Sequence, residues 1–147
     1  MEARYFNFTV HSASNLVDVR KKGEMKVYAK VSIAGKTKYT TTDVVNKTNP
    51  EWNSTLCFIL PEEDIVRGDV PAKIELFCQR SRSRDKYVGE IDLVLAPFYK
   101  GECTFSVHRN DSNQNKRFGT FKFSHELGDK VLIVVSDSSS SSDDSDA

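Results

Sequence analysis

The sequence predicts an all-β fold, an eight-stranded antiparallel sandwich. Three observations carry this: short runs in which apolar and polar residues alternate, turn-forming residues between them, and no window of eleven or more residues with a helical apolar stripe. The 147 residues, 38% of them hydrophobic, supply apolar material for one core and are too few for two domains of ordinary size. No apolar run approaches 18 residues, which excludes a membrane-spanning helix, and 10% aromatics are too many for a wholly disordered chain.

Residues 5–11 (Tyr-Phe-Asn-Phe-Thr-Val-His) and Val27–Ile33 alternate strictly and are rich in aromatic or β-branched types, so both read as half-buried strands. Strand-like runs follow at 38–45, 54–60, 73–78, 87–95, 103–107, 117–123 and 131–135, the last expected to pair with the sandwich rather than with a partner. Turn material separates them at Ala34-Gly35, Thr48-Asn49-Pro50, Arg67-Gly68-Asp69 and 110–113. Glu62-Glu63-Asp64 after Pro61 predicts a helical turn of at most two turns, because acidic residues favour a helix N-terminus. Residues 136–147, Ser and Asp with a final Ala147, have nothing to bury and read as a disordered tail after a domain spanning 1–135.

A formal net charge of zero hides an uneven distribution. That tail carries Asp137, Asp143, Asp144 and Asp146 and no basic residue, which leaves 21 basic against 17 acidic side chains in the body, a surplus of +4. Much of the surplus sits in two stretches, Arg20-Lys21-Lys22-Gly23-Glu24-Met25-Lys26 and Arg80-Ser81-Arg82-Ser83-Arg84-Asp85-Lys86, which hold eight of the 21 basic residues in fourteen positions. Each alone describes a solvated, charge-rich loop. Together they form an anion-binding rim if the fold brings them into contact.

Cys57, Cys78 and Cys103 lack metal-ligand spacing and read as free thiols of a reducing compartment and as structural filler, two of them small hydrophobes inside strands. The N-terminus has no apolar signal stretch and carries Glu2 where myristoylation needs glycine, so a cytoplasmic location is expected. The Asn-x-Ser/Thr triplets at Asn7, Asn46, Asn53 and Asn110 then have no glycosylating machinery to meet. No Gly-x-Ser-x-Gly elbow, phosphate-cradling glycine loop or paired histidine is present, since His11, His108 and His125 lie in separate segments, so no enzyme and no cofactor are expected. Nucleic acid is not expected as a partner either: the tail is acidic and no aromatic interleaves the basic stretches.

Several segments are similar to the C2 domain family over residues 4–123. They are Asn15-Leu16-Val17 with Gly23 and Val27-Tyr28 beyond it, Asn49-Pro50-Glu51-Trp52-Asn53 leading into a strand, and Ile74-Glu75-Leu76-Phe77 followed by Tyr87-Val88-Gly89-Glu90-Ile91. The brevity of the chain resembles that of small single-C2 proteins of plants, which would place it in signalling or stress response. In Asn49 to Asn53, Pro50 suits a turn into a strand and Trp52 a large core anchor, a structural role independent of the family.

The resemblance implies a C2-type sandwich whose loops converge at one end, where the family holds calcium with five aspartates. Carried over residue by residue, those positions fall at Arg20, Lys26, Cys78, Arg80 and Lys86, with Asp18 and Asp85 nearby but out of the pattern. A cation there removes an oxygen ligand and repels the ion, so no metal is expected. The expected function is calcium-independent, reversible docking on anionic phospholipid, phosphoinositide or phosphatidylserine, through Arg20, Lys21, Lys22, Lys26, Arg80, Arg82, Arg84 and Lys86. A monomer is expected, and the alternative function is a protein-interaction adaptor with no lipid role, whose basic rim or acidic tail binds another protein. A second basic face is expected from Lys30, Lys36 and Lys38, since alternate residues of a strand point to one side. Ser81 and Ser83 between arginines, and Ser140, Ser141 and Ser142 ahead of acidic residues, are candidate phosphorylation sites.

Overall fold

The computed structural model describes residues 1–110 and 117–133. Eight strands run β1 (Glu2–Ser14), β2 (Val27–Ile33), β3 (Lys36–Tyr39), β4 (Glu51–Pro61), β5 (Val70–Cys78), β6 (Lys86–Leu95), β7 (Gly101–Ser106) and β8 (Thr120–Leu132), with one helix, α1 (Glu62–Arg67), between β4 and β5. They form two four-stranded sheets of order β4-β1-β8-β7 and β3-β2-β5-β6, every neighbouring pair antiparallel. The predicted all-β sandwich is the observed one.

Alternation decides which side chains face inward. Val27, Ala29, Val31 and Ile33 of β2 are fully buried and meet Ile74, Leu76 and Cys78 of β5 from one sheet. From the other come Phe6 and Phe8 of β1, Phe58 of β4, and Phe121 and Phe123 of β8, with the Phe8 and Phe123 rings stacked 4.9 Å apart. Trp52 is only partly buried: it packs on Phe121 and spends its indole N–H on the Val27 carbonyl at 3.0 Å. Ala34 and Gly35, both at positive φ, close the two-residue hairpin between β2 and β3. The expected helical turn is α1, stopped by Gly68 in the left-handed conformation with its N–H on the Asp64 carbonyl.

Three expectations change. The run 38–45 is not one strand: the chain leaves β3 after Tyr39, where the Thr40 hydroxyl accepts the Ala29 amide at 2.9 Å and donates to the Thr41 carbonyl, and only Asp43 returns to pair with Val27. Residues 120–123 and 131–132 of the two expected runs belong to the single strand β8, interrupted by a bulge between the Arg4 and Phe6 pairings that disturbs the alternation at Gly128 and Asp129. Val131 and Leu132 pair with Ala3 and Glu2, as expected of a last strand. Cys78 is buried and Cys103 packs against the core, but Cys57 is exposed, because its neighbours Leu56 and Phe58 take the inward positions. Residues 134–147, with the domain boundary, the acidic tail and Ser140, Ser141 and Ser142, lie outside the described residues.

His125 sits 4% exposed between the rings of Phe6, Phe123 and Tyr99, with its Nδ1 unpartnered among the described residues. Burial pushes its imidazole below the ordinary value of 6.5. The native state then binds fewer protons than the unfolded one, so stability falls as pH drops below about 6.5. His125→Phe is expected to remove that decline in denaturant titrations between pH 7 and 5, and to change stability at pH 7 by no more than about 1 kcal/mol.

Candidate functional site

Chain direction puts the connections 15–26, 40–50 and 79–85 at one end of the sandwich, together with the described residues 107–110 and 117–119 between β7 and β8. The first two are stitched together by main chain, Ala13 N–H to the Pro50 carbonyl and Leu16 N–H to the Thr48 carbonyl, both 3.0 Å, and by Asn15 N–H donating to Asn49 Oδ1 at 2.8 Å. The first and third meet at their bases, where Gln79 N–H donates to the Lys26 carbonyl at 2.8 Å. Arg20 lies across the seam, its guanidinium reaching the carbonyls of Lys22 at 2.9 Å, Glu24 at 3.4 Å and Gln79 at 3.3 Å. Gly23, at φ +86°, leaves no space between itself and that guanidinium for a side chain.

The two basic stretches therefore come together. Arg20, Lys26 and Arg80 line a cleft of about 270 Å³ that also includes Val44, and Arg20, Lys21, Lys22, Arg80, Arg82 and Lys86 line an adjoining cleft of about 600 Å³ with Ser81 and Ser83. Arg84 stays on the loop without lining either, and its carbonyl accepts Arg80 Nε at 2.9 Å. Among the described residues none of the eight cations forms an ion pair, so the positive charge at this end exceeds that of the nearby Asp18, Glu24 and Asp85.

The nearby carboxylates are engaged. Asp18 Oδ1 accepts the Arg20 N–H at 2.9 Å, and Asp85 accepts the Tyr28 hydroxyl at 2.6 Å and the Arg80 N–H at 3.1 Å. Those two bonds, Tyr28 foremost, hold Asp85 below the ordinary carboxylate value of 3.8. Burial, then Asp85, raises the Tyr28 hydroxyl far above its ordinary 10.0. Among the described residues no group of three or more His, Cys, Asp or Glu is placed to hold a metal ion.

Of the second basic face, Lys36 and Lys38 share one side as expected, and Lys30 does not join them. Lys30 pairs opposite Tyr39, whereas Lys36 and Lys38 pair opposite Ile33 and Val31, so Lys30 points to the outer face and the other two to the core-side edge. Lys30 reaches Glu75 at 3.8 Å, and Lys38 Nζ lies 5.9 Å from the centre of the Phe58 ring. A two-residue hairpin pairs even positions with odd ones, which separates Lys30 from Lys36 and Lys38.

Sequence reasoning missed the loop 40–50, which brings Val44 and Val45, 56% and 74% exposed, to the same end as the cations. Its anchor is Asp43, 9% exposed, whose carboxylate accepts the N–H groups of Val45 (2.8 Å), Asn46 (2.8 Å) and Glu51 (2.9 Å) and the Asn46 amide (2.7 Å). Asp43 also exchanges both backbone bonds with Val27. The signal was an acidic residue three positions before Asn46, in a run whose β-branched residues imitate a strand.

Burial alone would raise Asp43, but the bonds from Asn46, Glu51 and Val45 outweigh it and hold the carboxyl at about 2. This contribution to stability is complete above the ordinary 3.8 and is lost as pH falls through about 2. Asp43→Ala is expected to cost about 2–4 kcal/mol in denaturant unfolding, since it strips the acceptor from three backbone donors. Asp43→Asn should cost less and lack the acid limb below pH 4.

The model of the C2 domain family matches residues 4–114. Protein SRC2 homolog of Arabidopsis thaliana is 28% identical over 140 residues, covering 88% of this chain and 42% of that protein, so the chain spans less than half the length of this relative. A C2 domain of a plant Extended Synaptotagmin 1 superposes with a TM-score of 0.70 at 18% identity, covering 85% of this chain and 94% of that one. The paired C2 domains of Extended-Synaptotagmin 2 give a TM-score of 0.65 at 14% identity over 84% of this chain and 40% of that one. With a sandwich of this topology and a family match over most of its length, the chain belongs to the C2 domain family, whose members are typically membrane- or lipid-binding modules.

Proposed function

We propose that this protein is a peripheral membrane module that docks its basic end on anionic phospholipid, phosphoinositide or phosphatidylserine, without calcium. The observation that carries this reading is the convergence of seven cations from two loops sixty residues apart into adjoining clefts, with the exposed Val44 beside them. At ~1 kcal/mol per Lys or Arg near an anionic leaflet, six or seven side chains supply roughly 5 kcal/mol or more, enough for reversible attachment that weakens with salt. Val44 and Val45 add apolar surface that can enter the headgroup boundary once the cations have brought it there. Among the described residues no helix is long and apolar enough to cross a membrane, which fits attachment from one side.

Calcium does not fit the residues at this end. Of the positions matched to the family's ligands, Arg20, Lys26, Arg80 and Lys86 are cationic and Cys78 is buried, while Asp18 and Asp85 already accept hydrogen bonds from within the loops. Hard calcium needs six to eight oxygens, most of them charged. Fixed positive charge serves here in place of the ion.

Pelleting with phosphatidylserine vesicles should retain the protein at low salt, vesicles of neutral lipid should not, and millimolar calcium or its chelation should leave both results unchanged. Lys21→Ala/Lys22→Ala/Arg82→Ala, three side chains that brace no loop, is expected to weaken binding roughly 100-fold with an unchanged melting temperature. Val44→Asp/Val45→Asp should weaken it as well. Equal pelleting by wild type and both variants would contradict docking through this end and favour a protein-interaction adaptor, and binding that appears only with calcium would contradict calcium independence.

A further inference from the structure

The loop between β5 and β6 sets two serines among three arginines, Arg80-Ser81-Arg82-Ser83-Arg84, and the fold places both serines in the wall of the larger basic cleft, facing cations of the first loop. Residues 81–85 are exposed, so an enzyme can reach them. The base of the loop is pinned without either hydroxyl, by Gln79 N–H on the Lys26 carbonyl, Arg80 Nε on the Arg84 carbonyl and Arg80 N–H on Asp85. Neither serine hydroxyl makes a hydrogen bond with another described residue, so derivatising it breaks nothing.

We propose that Ser83, and after it Ser81, is phosphorylated by an arginine-selecting serine kinase, and that the phosphate is captured by Lys21 and Lys22 across the cleft, filling it from within. The inference rests on the reading of this end as an anion-docking surface and names its regulation. Ser83 has Arg80 three residues before it, Arg82 just before and Arg84 just after, a pattern that an acidic substrate groove reads through charge-assisted hydrogen bonds. Ser81 has flanking arginines but Cys78 three residues before it, which makes it the poorer target. In the transfer, serine Oγ forms a bond to the γ-phosphorus of ATP as the bond to the β,γ-bridging oxygen breaks. ADP departs, and the hydroxyl proton passes to the kinase's base.

Each phosphoserine carries about −1.5 to −2 charge at pH 7 and three acceptor oxygens. Six cations line the cleft, so two phosphates, about −3 to −4 together, cancel about half to two-thirds of its charge. The lysines of the first loop have no carboxylate partner among the described residues, so nothing must be displaced for them to bond to phosphate. The cleft changes from a receptor for external phosphate groups into a site occupied by its own.

The full chain is phosphorylated with ATP and an arginine-selecting serine kinase, and the modified residues are mapped by mass spectrometry with Ser81→Ala/Ser83→Ala as the control. Phosphorus NMR then follows the second ionisation of each phosphoserine, ordinarily near pH 6, in the wild-type background and in Lys21→Ala/Lys22→Ala. Capture predicts ionisation at a pH lower by about half a unit or more in the wild-type background, relaxed in the lysine variant. Vesicle pelleting of the doubly modified protein should weaken at least tenfold. No incorporation at Ser83 or Ser81 overturns the site, and identical titrations in the two backgrounds overturn the capture. Undiminished pelleting overturns the switch. If the unmodified protein ignores anionic vesicles, the membrane reading falls, and the phosphorus titration still decides the capture on its own.

Discussion

The basic end of this molecule depends on one buried carboxylate. Asp43 gathers the amides of Val45, Asn46 and Glu51, and its backbone exchanges both hydrogen bonds with Val27, whose carbonyl also takes the Trp52 indole. Val27 is where the first loop enters β2, and it pairs with Cys78, where β5 gives way to the third loop. Three connections remote in sequence are thus fixed to one point. A charge with so little solvent is tolerated because hydrogen bonds replace the water it has lost.

That anchoring lets the loops carry charge at their exposed tips, while Leu16 and Met25 of the first loop pack into the core. Placing Arg20, Lys21 and Lys22 beside Arg80, Arg82 and Lys86 concentrates repulsion, and the strands beneath absorb it because their stability comes from buried Phe, Ile, Val and Leu. Arg20 does both jobs: its guanidinium braces its own loop through the Lys22 and Glu24 carbonyls and ties it to the third through that of Gln79, while its charge joins the cleft. The apolar Val44 and Val45 stand exposed at the same end for the same reason, since the turn that presents them is held by Asp43 and not by their own burial. In the proposed docking, cations supply long-range attraction and the valines short-range contact, which matches the order in which a surface is met.

The sandwich was legible because β2 alternates without exception and its inward residues form one face. The loop 40–50 was not, because Thr41, Thr42, Val44 and Val45 have strand propensity, while the carboxylate that overrides it acts on amides up to eight residues away. β8 was read as two strands because its bulge shifts parity at Gly128 and Asp129. The eight cations could be picked out by density alone, yet their meeting is a long-range property that periodicity cannot express, and the family resemblance supplied that expectation. Lys36 and Lys38 share a side as their spacing implies, but Lys30 on the neighbouring strand does not, because parity along one strand says nothing about its neighbour until the hairpin register is known.

The central claim, that the end bearing 15–26, 40–50 and 79–85 is the surface that meets the membrane, is tested most directly by amide NMR on lipid nanodiscs containing phosphatidylserine and a trace of gadolinium-chelating lipid. Selective broadening of Lys21, Lys22, Val44, Val45, Arg82 and Ser83, with α1 and 96–100 at the opposite end unaffected, is the predicted result. Broadening centred on α1 and 96–100, or spread evenly over the outer face of either sheet, would contradict it.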